Sequence, residues 1–233
     1  EVQLVPVEFD AVQPMMAALR DVWFKPYIQA TGNSLDFLKE VAPKKIVLVG
    51  SPEYQNGSFK LGQAEGGRKI LLLNVNNFDA SNENELKEAL HTIVHEFTHI
   101  LHQTKLFNQE YQTISTGRYN SNWTLLNDSE ARHQGFITNY AMLNKDEDFA
   151  EMVSGILVFG YEWFKDTVLA EAAKSTENPH AKADLEAKLA IVNSYFKETW
   201  NIEFFDNETS GEPGLESYFR MAIEEVVSNP PTK

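Results

Sequence analysis

Between Asn84 and Gln103 the apolar residues Leu86, Leu90, Ile93, Val94, Phe97, Ile100 and Leu101 recur at steps of three and four, with no Gly or Pro in the interval. That spacing predicts an amphipathic helix with a wide apolar stripe. Ser81 or Asn82 can cap it, and Asn82 with Glu85 has capping-box spacing. Upstream, residues 2–8 alternate weakly as a first strand, and 11–42 read as helices interrupted near Pro26 and at Gly32-Asn33. Residues 45–50 form a compact apolar strand, followed by a polar loop over 51–57 and a short hairpin strand around 58–61. Gly66-Gly67 marks a turn before an apolar strand over 69–75, which its composition leaves as either central or edge.

Downstream, residues 107–123 are irregular and rich in Asn, Ser, Thr and Gln, the length of a functional loop. Helices are predicted over 127–143, 146–173, 182–199 and 214–227, with a frayed tail over 228–233. The resulting class is α+β, a single domain over residues 1–233. A small mixed sheet and the 84–103 helix make an N-terminal α/β lobe over about residues 1–105, and a mainly helical lobe covers about 126–233. Substrate is expected in the groove between these lobes, with 69–75 as a candidate edge strand for pairing an extended backbone.

Residues 95–99 on the predicted helix read His-Glu-Phe-Thr-His. His95 and His99, four apart, put their imidazoles one turn above each other on one face, where two nitrogens can occupy two corners of a zinc tetrahedron. Glu96 stands beside the first ligand, where its carboxylate reaches a water at the metal without binding the metal itself. His91 and His102 fall near the same stripe and are expected to be structural or to support the ligands.

A catalytic zinc needs a third protein ligand and an open position. The histidine that would follow at a further six residues is replaced by Lys105, so the ligand is sought in a later helix. Glu110, Asp128, Glu130, His133, Asp146, Glu147, Asp148, Glu151 and Glu162 are the candidates. Acids cluster in the segment from Asn144 at the start of an apolar-periodic run (Phe149, Met152, Val153, Ile156, Leu157). Glu147 and Glu151 share a face, so one can bind metal while the other accepts the N–H of a ligating histidine. Asn144 and Glu147 also have the spacing of a helix cap, which by itself would explain the acid.

The runs HEFTHILHQ, GFITNYA and EDFAE, with the strand KKIVLVGS and the late segment KLAIVNSYFKETWNIEF, resemble the zinc-binding metallopeptidases found as surface lipoproteins in Bacteroidetes. More distantly they are similar to the gluzincin catalytic domain of the anthrax lethal factor group. The resemblance implies a zincin-like fold with Glu147 as third zinc ligand and Glu151 as partner of a ligand histidine. It also implies Tyr140, seven residues before Glu147, as stabiliser of the reacting oxyanion. Asp148 departs from the lethal factor pattern, which is apolar there, and is a competing ligand.

The implied reaction is zinc-dependent hydrolysis of a peptide or protein substrate, with Zn2+ and Tyr140 stabilising the oxyanion and Glu96 as general base. Tyr111, Tyr119, Trp123, Tyr161 and Trp163 either line subsites or fill the core. A net charge of −14 argues against nucleic acid and anionic membrane surfaces as partners. The absence of cysteine excludes disulfides and thiolate metal sites. The first residue is not Met, and no apolar run reaches membrane-spanning length. An exported product is expected, at the cell surface or in the periplasm, with a lipid anchor ahead of residue 1 in the precursor. The competing function is a cell-surface binding or nutrient-capture accessory lipoprotein that retains a metal site with little or no turnover; a closed site with a fourth protein ligand, for instance His133 or Asp148, would support it, and an intact Glu96 argues against it.

Overall fold

The computed structural model describes residues 4–55, 58–60, 62–65 and 69–231. Helix α1 (Phe9–Leu19) continues through a π-helical turn (Arg20–Phe24) into α2 (Lys25–Ala30), so the interruption expected near Pro26 does not occur. A proline lacks an N–H and its ring crowds the preceding turn. The wide π turn lies directly ahead of Pro26, and the Lys25 N–H reaches back to the Arg20 carbonyl. The chain does stop at Gly32-Asn33. The Asn33 N–H returns to the Ile28 carbonyl and the Gly32 N–H to that of Gln29, with Gly32 at φ +69°. This Schellman ending requires a left-handed residue, which glycine adopts without steric cost. A short helix α3 (Asp36–Val41) precedes the sheet.

Strands β1 (Lys45–Leu48), β2 (Glu53–Gln55), β3 (Ser58–Lys60), β4 (Gly62–Glu65) and β5 (Lys69–Leu72) follow. The larger sheet is mixed, in the order β1-β5-β4, with β5 parallel to β1 and antiparallel to β4. Strand β5 is therefore central. Both rows of its backbone groups have strand partners, so the expectation that 69–75 is an edge for substrate is corrected. Its alternate residues Ile70 and Leu72 are buried, which fixes the register of a half-buried strand. Strand β2 falls within the stretch expected to be a polar loop and pairs antiparallel with β3. The expected first strand reduces, over its described part, to one bridge between Pro6 and Val49. The turn expected at Gly66-Gly67 lies outside the described residues.

Helix α4 (Glu83–Thr104) lies against β4 and β5. The Asn82 side chain accepts the N–H of Asn84 at 3.2 Å and donates to Glu85 at 2.8 Å, while Glu85 also accepts the Asp79 N–H. On the inner face Phe97 is fully buried and takes Trp23 and Tyr27 edge-on at centroid distances of 5.3 and 5.2 Å. Burying one such aromatic side chain stabilises by roughly 2–3 kcal/mol. Tyr27 also packs on Phe37 and Phe219. Glu1–Thr104 and Ser217–Lys233 make one compact unit, and Lys105–Glu216 make a second.

The second unit contains α5 (Glu110–Ile114), α6 (Asp128–His133), α7 (Lys145–Phe159), α8 (Tyr161–Trp163), α9 (Ala170–Ala172) and α10 (Ala181–Ser194). A π segment joins α8 to α9, and another extends α10 to Thr199. Helix α11 (Leu215–Ser228) closes the chain; its residues from Ser217 belong to the first unit. The single helix predicted over 127–143 is not formed. Helix α6 begins on a capping box of Asn127 with Glu130 and ends after one and a half turns. The Phe136 N–H returns to Ala131 and the Gly135 N–H to Arg132, with Gly135 at φ +83°. The chain then runs irregularly to a 3-10 turn at Tyr140–Met142.

Helix α7 is buried on every side from Asp148 to Val158, as expected of a helix at the centre of its unit. Phe149 stacks on Phe107 at 4.2 Å and receives Tyr111 and Tyr195 edge-on. Gly160, at φ +92°, ends α7 and divides the helix predicted over 146–173. Among the described residues no helix is long and apolar enough to cross a membrane.

Candidate metal site

Helix α4 carries both histidines of the HEFTH run. Phe97 lies between them in sequence, about 200° around the helix from each, so its burial turns His95 and His99 to the opposite face. Their Nε2 atoms are 3.1 Å apart. In a zinc tetrahedron with bonds of about 2.0 Å, two nitrogens are separated by roughly 3.3 Å. His99 Nδ1 lies 2.9 Å from His102 Nε2. When His99 offers its Nε2 lone pair, its Nδ1 carries the proton and donates it to His102. His102, three positions on, is thus placed to hold the tautomer and ring orientation that ligation by His99 Nε2 requires. His95 and His102 are buried, and Glu96 is half-buried.

The acidic segment is set by α7. The Asn144 side chain accepts the N–H groups of Asp146 and Glu147 at 2.8 and 3.1 Å, so the cap expected from the spacing is present. This holds the Glu147 backbone in the first turn, with its side chain half-buried. Asp148 goes elsewhere. Its carboxylate is fully buried, 2.7 Å from Lys188 Nζ, and accepts the Tyr119 and Tyr111 hydroxyls at 3.1 and 3.3 Å. Burial pushes the Asp148 carboxyl up and the Lys188 ammonium down, while their mutual attraction works against both shifts.

Glu151 is buried and accepts the Thr138 hydroxyl at 2.7 Å. Thr138 in turn accepts the Ala141 N–H, which braces the 3-10 turn holding Tyr140. The Tyr140 ring meets Trp123 edge-on at 4.9 Å. Two further hydrogen bonds hold this segment: the Asn139 N–H to Asp128 and the Asn139 side chain to the Leu126 carbonyl.

Of the other acids, Glu130 serves the α6 cap, Asp146 pairs with Lys145, and Glu162 pairs with Lys165. His133 lies 3.2 Å from Glu171. Among the aromatic residues considered for subsites, Tyr111 is core, Tyr119 packs on Phe136, and Tyr161 packs on Phe205. Trp163 packs on Phe159.

His95, His99 and Glu147 each offer one ligand atom, and these atoms all lie within 4.8 Å of one another, a group that could hold a metal ion. Two imidazoles and one carboxylate are also the donor set of a common class of catalytic zinc site. The family described as "Putative zinc-binding metallo-peptidase" matches residues 1–205.

The chain belongs to that metallo-peptidase family.

A crystal structure described as that of "a putative zinc-binding metallo-peptidase from Bacteroides caccae ATCC 43185" is 30% identical to this chain, with a TM-score of 0.75. The match covers 97% of this chain and 80% of that one. No curated protein matches the chain. Membership in the metallo-peptidase family supports zinc binding and proteolysis in general terms.

Sequence reasoning missed Lys188. A signal for it exists. Ala181, Leu185, Lys188, Val192 and Tyr195 fall at helical spacing and are all buried, so the lysine occupies a position of the apolar stripe.

Proposed function

We propose that the protein hydrolyses peptide bonds with a zinc ion held by His95, His99 and Glu147, as a gluzincin-type peptidase. The observation that carries this reading is the convergence of three ligand atoms of the right chemistry beside a glutamate at position 96. When bound, zinc would supply a Lewis acid that lowers the pKa of water to about 7 and polarises a carbonyl oxygen.

The remaining steps belong to the chain. Glu96 takes a proton from the attacking water and delivers it to the leaving amine. The Tyr140 hydroxyl donates to the oxygen on which charge develops. His102 keeps His99 in the tautomer that offers Nε2, and Asn144 holds the helical turn from which Glu147 projects. An exported protein, lipid-anchored ahead of residue 1 and acting on peptides outside the cytoplasm, completes the proposal.

A closed site with a fourth ligand, for instance Asp148 or His133, would support the alternative of a surface binding protein that retains the metal with little or no turnover. Asp148 is engaged by Lys188 and two tyrosines, and His133 lies beside Glu171. Neither observation favours that reading. Cleavage profiling against an unbiased peptide library, with and without a chelator, tests the proposal. Chelator-sensitive cleavage with a reproducible sequence preference is expected; no cleavage by the zinc-loaded protein overturns it.

A further inference from the structure

Lys188 has no exposed surface, and neither has Asp148, its partner at 2.7 Å. The same ammonium donates to the Gly135 carbonyl at 2.8 Å and sits 4.1 Å from the centre of the Phe136 ring. Asp148 is saturated in turn. Its Oδ2 takes Lys188 and the Tyr119 hydroxyl, and the Tyr111 hydroxyl reaches both Oδ1 and the Asp148 backbone carbonyl, the latter at 3.1 Å.

A buried ion pair is a poor device for stability alone. Desolvating both charges cancels much of their attraction, and apolar replacements of similar volume are often as stable. What such a network supplies is direction and fixed distance. Here one ammonium joins two stretches. One is the first turn of α7, where Glu147 immediately precedes Asp148; the other is the chain leaving α6 at Gly135, which leads to Thr138 and Tyr140. Consecutive residues on a helix point about 100° apart. Pinning Asp148 inward therefore sets the direction in which Glu147 leaves the helix. Pinning Gly135 sets the start of the segment that ends at Tyr140.

We propose that Lys188 is a positioning residue: through Asp148 and the Gly135 carbonyl it locks the Glu147 turn and the Tyr140 segment into one rigid piece presented to the metal. The inference rests on the assignment of Glu147 as a zinc ligand, and it adds a residue on α10 that touches neither metal nor substrate. Supports of this kind are worth roughly 10- to 100-fold in metal affinity.

The test is zinc affinity, measured by competition with a chromophoric chelator on the full chain, alongside thermal melting of the zinc-free protein. Lys188→Met combined with Asp148→Asn removes both charges and leaves no unpaired ion. A cooperative zinc-free melt near that of the wild type, with zinc bound about 10- to 100-fold more weakly, is the expected result. A folded double variant with wild-type zinc affinity overturns the proposal, since a purely structural pair would alter melting alone. Should the double variant fail to fold, Asp148→Asn alone decides, since it keeps the shape of the side chain and removes the carboxylate charge that Lys188 holds. Zinc affinity lowered severalfold in that variant supports the role, and unchanged affinity overturns it. If the wild-type protein takes up no zinc, the metal-site assignment itself falls and this inference with it.

Discussion

His95 and His99 present their Nε2 atoms to each other across 3.1 Å, one helical turn apart on α4. Without a cation one of the two must donate a proton to the other; around a cation both lone pairs converge. The purified protein is therefore expected to carry about one zinc per chain, lost on His95→Ala or His99→Ala and detectable by elemental analysis. Zinc at a thousandfold excess over its Kd adds about 4 kcal/mol to stability. In a chain of this size that raises Tm by roughly 8–16 °C. His102→Ala should retain a weakened site, with zinc affinity down about 10- to 100-fold, because His99 loses the partner of its Nδ1.

Glu96→Gln keeps the shape of the side chain and removes the base. Peptide cleavage is expected to fall by at least about 10²- to 10⁴-fold, with zinc content unchanged. Retained cleavage by the Gln variant would exclude Glu96 as the proton acceptor.

Glu147→Ala should cost more zinc affinity than Glu151→Ala, since the former is grouped with the two histidines and the latter receives the Thr138 hydroxyl. Isothermal titration with zinc on both variants orders them. A larger loss at Glu151 would exchange the two roles.

Glu171 offers a pH-dependent check away from the metal residues. Lys174 and Ser129 donate to its carboxylate and hold it down at about 2, from an ordinary value of 4.5. A carboxylate lowered on folding contributes stability that is complete above its unfolded value and lost as pH falls through the folded one. The wild type should lose this contribution between about pH 4.5 and 2. Glu171→Gln should flatten that part of the Tm-versus-pH curve, and an unchanged slope would show that the carboxylate is not held.

Local signals read well from the chain. The α4 helix, its Asn82 cap, the Asn144 cap of α7 and the ending at Gly32-Asn33 each depend on residues a few positions apart, which sequence displays directly. The misreadings share a different cause. Residues 127–143 look helical by their caps and apolar positions, but Gly135 takes the left-handed conformation and redirects the chain. The 69–75 strand has the composition of either an edge or a central strand, and only its pairing with β1 and β4 decides between them.

By itself, then, the sequence determined the HEFTH helix, the residue types able to bind zinc and the caps that start the two helices bearing them. Periodicity and short-range hydrogen bonding specify those features. Tertiary structure alone decided which acid of the 146–151 cluster turns inward. Asp148 is buried because Lys188, forty positions later, supplies the compensating charge. No local pattern contains that pairing, because the cost of burying a charge depends on what the distant chain brings to meet it.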